Sequence, residues 1–78
     1  MKVEIITPET VLYHGEASFV HLPGSDGSLG ILNNHAPLIS SLKKGTVRLK
    51  DEAGKEVKFD VKGGTVEVFN NKVIILAE

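Results

Sequence analysis

The chain has 78 residues, 41% of them hydrophobic and 24% charged, no cysteine, and a formal net charge of −1 from nine Lys/Arg and ten Asp/Glu. Such a composition is globular rather than disordered, and its charge balance excludes the electrostatic footprint of a nucleic-acid binder or an anionic-membrane binder. Without cysteines there is no disulfide framework, no thiolate zinc site and no thiol nucleophile.

One domain of this size buries only about 60–65% of its unfolded surface. Stability must therefore come from a packed core or from a partner. Met1-Lys2-Val3-Glu4 carries charge straight into an alternating segment, which is not signal-peptide chemistry, and every apolar run falls far short of the ~20 residues that span a bilayer. The expectation is a soluble, intracellular domain that reaches a membrane only through another subunit.

Along the chain, Val3 and Ile5 alternate with Lys2, Glu4 and Thr7, the two-residue period of a half-buried strand, and Pro8 closes it because proline has no N–H for a ladder. Thr10–Tyr13 and Ala17–Leu22 read as two further extended runs separated by His14-Gly15. Ala17 breaks parity with Val20 and Leu22, so a bulge or bend is expected between Gly15 and Phe19. A brief strand follows at Leu29–Leu32 and another at Pro37–Leu42. From Gly45 the pattern is regular: Val47 and Leu49 face one way, Thr46, Arg48 and Lys50 the other. Asp51-Glu52-Ala53-Gly54 is a turn cluster, after which Val57, Phe59 and Val61 point inward, completing a hairpin. Gly63-Gly64 ends it and Thr65–Phe69 forms the next strand. Asn70-Asn71 is a two-residue turn, since Asn tolerates positive φ. Val73–Leu76 is apolar at every position, which predicts a central strand buried on both faces.

No segment has a helical period over three turns. The fold class is all-β, with about eight to ten short strands in a sandwich or barrel whose two layers bury the inward residues.

The stretch from Pro23 to Ser40 is the irregular one. Gly24, Gly27 and Gly30 can supply positive φ or close backbone approach, and Pro37 forces Ala36 away from the helical region. A phosphate cradle would need Gly-Lys-Ser/Thr opening a helix or a βαβ unit, and neither follows Gly30. His14, His21 and His35 have no metal-ligand spacing. Ser25, Asp26 and His35 have the residue types of a nucleophilic triad without its strand-to-helix elbow or a second carboxylate. His35, held between Asn33-Asn34 and Ala36-Pro37, suits bonding to nearby backbone or to a partner.

The runs Gly24-Ser25-Asp26-Gly27-Ser28-Leu29-Gly30-Ile31, His35-Ala36-Pro37-Leu38, Lys44-Gly45 and Gly63-Gly64-Thr65-Val66-Glu67-Val68 resemble, in order and interval, the N-terminal domain of the epsilon-subunit family of F-type ATP synthases, called delta in mitochondria. The resemblance covers essentially the whole chain. It implies a ten-stranded antiparallel β-sandwich of two five-stranded sheets. It also implies a noncatalytic rotor subunit in the central stalk, peripheral on the cytoplasmic face of the bacterial membrane. Such a subunit binds gamma along one flank and the c-ring with one end, coupling proton translocation to ATP synthesis without a cofactor. Carried over by position, the gamma-facing residues are Thr7, His35, Leu38 and Ser40, with Leu32 and Ile39 as apolar anchors. The c-ring-facing residues are Asp26, Gly27 and Ser28. Many relatives carry an acid where this chain has Ser28, which leaves Asp26 as the ion-pair candidate. Most bacterial relatives continue into two helices that regulate hydrolysis or bind ATP, and the sequence given ends at Ala77-Glu78, so neither activity is assigned. The alternative is a free-standing all-β module that binds a peptide or small ligand, monomeric in the cell.

Overall fold

A computed structural model describes residues 1–78 and holds strands and turns with no helix, so no helix is long and apolar enough to cross a membrane. In chain order the strands are β1 Lys2–Ile6, β2 Val11–Gly24, β3 Gly27–Leu32, β4 Leu38–Leu42, β5 Gly45–Asp51, β6 Glu56–Val61, β7 Gly64–Phe69 and β8 Lys72–Ala77.

The 14-residue β2 joins the two layers. Its first part, from Val11 to Glu16, pairs with β1, and from Ala17 onward it pairs with β5 and, from Phe19, with β3. The change of partner coincides with a register shift between Ala17 and Phe19, which is where the break in apolar parity required one. One layer therefore runs from the start of β2 through β1, β8 and β7 to β4; the other runs from β3 through the end of β2 and β5 to β6.

Two details differ from the expected ten antiparallel strands. The count is eight: the chain does not break at His14-Gly15, Gly15 stays paired with Val3 and β2 continues as one strand through both layers, which then hold five and four strands rather than five and five. One pairing is parallel, Val3 beside Val73 and Ile5 beside Ile75. These two strands come from opposite ends of the sequence, so no tight turn forces them to run antiparallel.

Alternation builds the core. Val3, Ile5, Val66, Val68, Val73 and Ile75 from one layer join Val20, Leu22, Ile31, Val47, Leu49 and Val61 from the other in a single buried cluster. A fully buried aliphatic side chain is worth about 1.5–3 kcal/mol. By contrast, the ion pairs Lys58–Glu56 and Lys72–Glu4 are partly exposed and worth about 0–1 kcal/mol each, so the layers are held by apolar packing. Tyr13 and Phe59, with ring centroids 5.8 Å apart in an edge-to-face pair, extend the cluster.

β8 is central by pairing, lying between β1 and β7. It is not buried on both faces: Val73, Ile75 and Ala77 point into the core, while Ile74 is half-buried and Leu76 exposed. The outer face of this layer has no third layer over it. Asn70 and Asn71 take φ of 48° and 57° and turn β7 into β8, as their tolerance of the left-handed region predicts.

A candidate partner interface along an uncharged edge

The Pro23–Ser40 stretch forms one edge of the sandwich. β2 and β3 make a hairpin through the two-residue turn Ser25-Asp26, with Gly24 opposite Gly27. Gly24 has to be glycine because a Cβ there would sit 2.4 Å from the Gly27 carbonyl oxygen. The tip is braced from β4: the Ser25 N–H donates to the Ser41 carbonyl (3.0 Å), the Ser41 hydroxyl donates to Ser25 Oγ (2.8 Å), and the Lys43 N–H donates to the Pro23 carbonyl (2.9 Å). Asp26, Gly27 and Ser28 are all exposed on this tip.

β3 then carries the chain away from the tip by roughly 20 Å, at ~3.4 Å per residue, to the loop Asn33–Pro37. That separation places Ser25 and Asp26 at one end of β3 and His35 at the other, so the three cannot share a proton. The three histidines also fail to converge with carboxylates into a group that could hold a metal.

The loop is held by two ties from distant parts of the chain and by local bonds of His35. The Met1 ammonium donates to Asn33 Oδ1 (2.7 Å) and to the Ala17 carbonyl (3.0 Å). Asn34, at φ 61°, donates its N–H to Asn71 Oδ1 (2.7 Å) in the β7–β8 turn. His35 donates its N–H to the Leu32 carbonyl (3.2 Å), and its Nδ1 lies 2.7 Å from the Ala36 carbonyl oxygen. A carbonyl only accepts, so Nδ1 carries the hydrogen and Nε2 of the neutral ring is left as an acceptor.

β4 leaves this loop with alternating exposure. Leu38 and Ser40 are half-buried and turn toward the interlayer space; Ile39 and Ser41 point out. β4 pairs with β7 along its length but with β2 only at Leu42–Gly24. β3 and β4 contain no charged residue, whereas the free edge strand β6 carries Glu56, Lys58 and Asp60. Charges on edge strands discourage pairing with other chains. The edge made by β3 and β4 lacks that protection, and it exposes Leu32 (60%) and Ile39 (76%).

His35, Leu38 and Ser40 thus lie with Leu32 and Ile39 along the β3–β4 connection, with Leu38 and Ser40 turned inward and Ile39 outward. Thr7 is not with them. It sits beyond the far end of β1, where its hydroxyl accepts from the Thr10 N–H (3.1 Å) and closes the β1–β2 turn beside a cleft of about 460 Å³ that it lines with Gly64, Leu76 and Glu78. Asp26, Gly27 and Ser28 form a separate, hydrophilic tip. The ties through Met1, Asn33 and Asn71 were not legible beforehand; only the left-handed tolerance of the asparagines hinted at them.

The family described as "ATP synthase, Delta/Epsilon chain, beta-sandwich domain" matches residues 1–78. The chain belongs to this family. Relatives within it include the ATP synthase epsilon chain of Brevibacillus brevis, 51% identical over 78 residues and 100% of this chain, and that of Desulforudis audaxviator, 53% identical over 76 residues and 97% of this chain. The chain spans 59% and 55% of those two relatives' length. It spans 88% of the Chlorobium limicola epsilon chain, at 43% identity over 77 residues and 99% of this chain. Among solved structures, a chain of the Euglena gracilis mitochondrial ATP synthase superposes with a TM-score of 0.90 at 18% identity, over 96% of this chain and 48% of that one. A chain of the Tetrahymena thermophila mitochondrial ATP synthase central stalk and c-ring gives 0.82 at 24% identity, over 99% of this chain and 62% of that one. At these identities the superpositions establish the epsilon-type β-sandwich as a fold.

Proposed function

We propose that this epsilon-family domain is a noncatalytic central-stalk subunit of an F-type ATP synthase that binds gamma and touches the c-ring, so that rotation driven by proton passage reaches the catalytic subunits. It would act peripherally, on the cytoplasmic face of a bacterial membrane, as part of a hetero-oligomer. The observation that carries this reading is the uncharged β3/β4 edge, with exposed Leu32 and Ile39 flanking the fixed His35 loop. Protein interfaces place apolar anchors at their centre and polar groups at the rim, and this edge offers both.

The second contact is the β2–β3 tip. Asp26 there supplies a carboxylate on a short, braced turn, suited to a polar loop of a ring subunit. A tip braced by three hydrogen bonds and a body held by a continuous core deform little under load, which is what transmission of torque requires. Thr7, on the other side of the β8–β7 pair from β4, would meet gamma only if the contact extends across the outer face of that layer, over Ile6, Leu76 and Thr65.

Capture of purified gamma by the immobilised domain tests the reading. His35→Glu and Ile39→Glu should each weaken capture at least tenfold while the circular dichroism spectrum and melting temperature stay near those of the parent, whereas Ser40→Glu, at a half-buried position, should lower both capture and melting temperature. Equal capture by parent and variants would count against the assignment.

A further inference from the structure

The exposed side of β4 offers main-chain groups as well as side chains. Within a strand, the main-chain groups of successive residues point to opposite sides. All of β4 from Leu38 to Leu42 stands in register with β7, and alternation gives the hydrogen bonds of that ladder to Leu38, Ser40 and Leu42, because the bonds of residues 41 and 43 run the other way. On the other side, the Ser41 carbonyl accepts from Ser25 and the Lys43 N–H donates to Pro23. The Ile39 N–H, the Ile39 carbonyl and the Ser41 N–H point to that same side and bond to nothing in the chain. A donor, an acceptor and a donor therefore stand in line on an uncharged strand. Beside them is Ile39, the most exposed of the large hydrophobic side chains.

We infer that β4 accepts an added strand: a short extended segment of the partner, three or four residues long, pairs with Ile39 and Ser41 through main-chain hydrogen bonds and packs an apolar side chain on Ile39. Fixed donors and acceptors at strand spacing match an extended backbone and little else. Of the other free edges, β6 is blocked by its three charges, and β3, though continuous, has glycine at positions 27 and 30, which leaves no side chain there for an added strand to pack on. The inference rests on the proposal that gamma binds this edge, and it adds the mode of binding, main chain rather than side chain.

The probe is the gamma subunit of Brevibacillus brevis ATP synthase, whose epsilon chain is 51% identical to this one. Ile39→Ala removes the side chain and keeps the N–H. Ile39→Pro removes both, on an edge position where proline is tolerated. Strand addition predicts that Ile39→Pro binds gamma about tenfold more weakly than Ile39→Ala, with both variants melting near the parent. It also predicts that amide exchange of Ile39 and Ser41 slows at least tenfold on binding, while Leu38 and Ser40, already in the ladder, change little. Equal affinities of the two variants, or unchanged exchange at Ile39 and Ser41 in a complex that forms, would overturn strand addition and leave the gamma reading intact. Failure of the parent to bind gamma would overturn both. Concentration-dependent dimerisation abolished by Ile39→Pro would assign the edge to a second copy of this chain and overturn the partner as occupant.

Discussion

Asn71 links the architecture of the candidate site to the turn that closes the sheet, and its replacement separates two effects. Its side-chain oxygen accepts from the Asn34 N–H at 2.7 Å, and its backbone sits at φ 57°. Asn71→Gly removes the bond and relaxes the backbone. Asn71→Ala removes the bond and forces a Cβ into the left-handed region, at about 1–2 kcal/mol. Glycine's greater loss of chain entropy on folding returns about 0.5–1 kcal/mol of that difference. Asn71→Ala should therefore be less stable than Asn71→Gly by about 1 kcal/mol, or about 4–8 °C in Tm for a domain of this size. Both variants lose the tie to the loop equally. An exposed hydrogen bond worth about 0.5–1.5 kcal/mol predicts Asn34 amide exchange about three- to tenfold faster in each, and a comparable loss of affinity for gamma. Thermal melts and hydrogen exchange read the two effects independently. If Asn71→Gly leaves Asn34 exchange at the parent rate, the turn does not hold the loop and this account of His35 placement is wrong.

Other substitutions test the body. Gly64→Ala would bring a Cβ to 2.1 Å from the Leu76 carbonyl oxygen at φ 138°, and soluble, folded protein should be lost from expression trials. Ile75→Ala, in the core, should cost about 2–5 kcal/mol in urea unfolding, whereas Leu76→Ala on the outer face of the same strand should cost under ~1 kcal/mol. Glu4→Gln should change stability by less than ~1 kcal/mol, because the Lys72 pair at 3.3 Å is partly exposed; a larger loss would show that this pair holds the parallel β1–β8 contact.

Much of this fold was legible in the sequence because its local signals agree with one another. The alternation through Val47, Leu49, Val57 and Phe59 gave the β5–β6 hairpin, and Asn70-Asn71 gave the last turn. Ala17's broken parity marked the place where β2 changes partner. Pairing was less legible. The parallel β1–β8 contact joins residues 70 positions apart, such as Val3 and Val73, and nothing local encodes it. Val73–Leu76 misled by composition: its outward positions Ile74 and Leu76 are apolar yet uncovered, so Leu76 is exposed. The loop motifs located the candidate site but not its support. Asn33-Asn34 and Ala36-Pro37 suggest that His35 is held by its neighbours, while in the fold the loop around it is also tied to Met1 and Asn71, contacts that exist only after both layers have assembled.

The central claim is that two separate surfaces at different ends of β3 meet two different partners. A benzophenone amino acid placed at position 39 in one preparation and at position 26 in another, each assembled into the synthase and irradiated, tests it directly. The account predicts that position 39 labels gamma and position 26 labels the ring subunit. Labelling of the same subunit from both positions, or of neither, would contradict it.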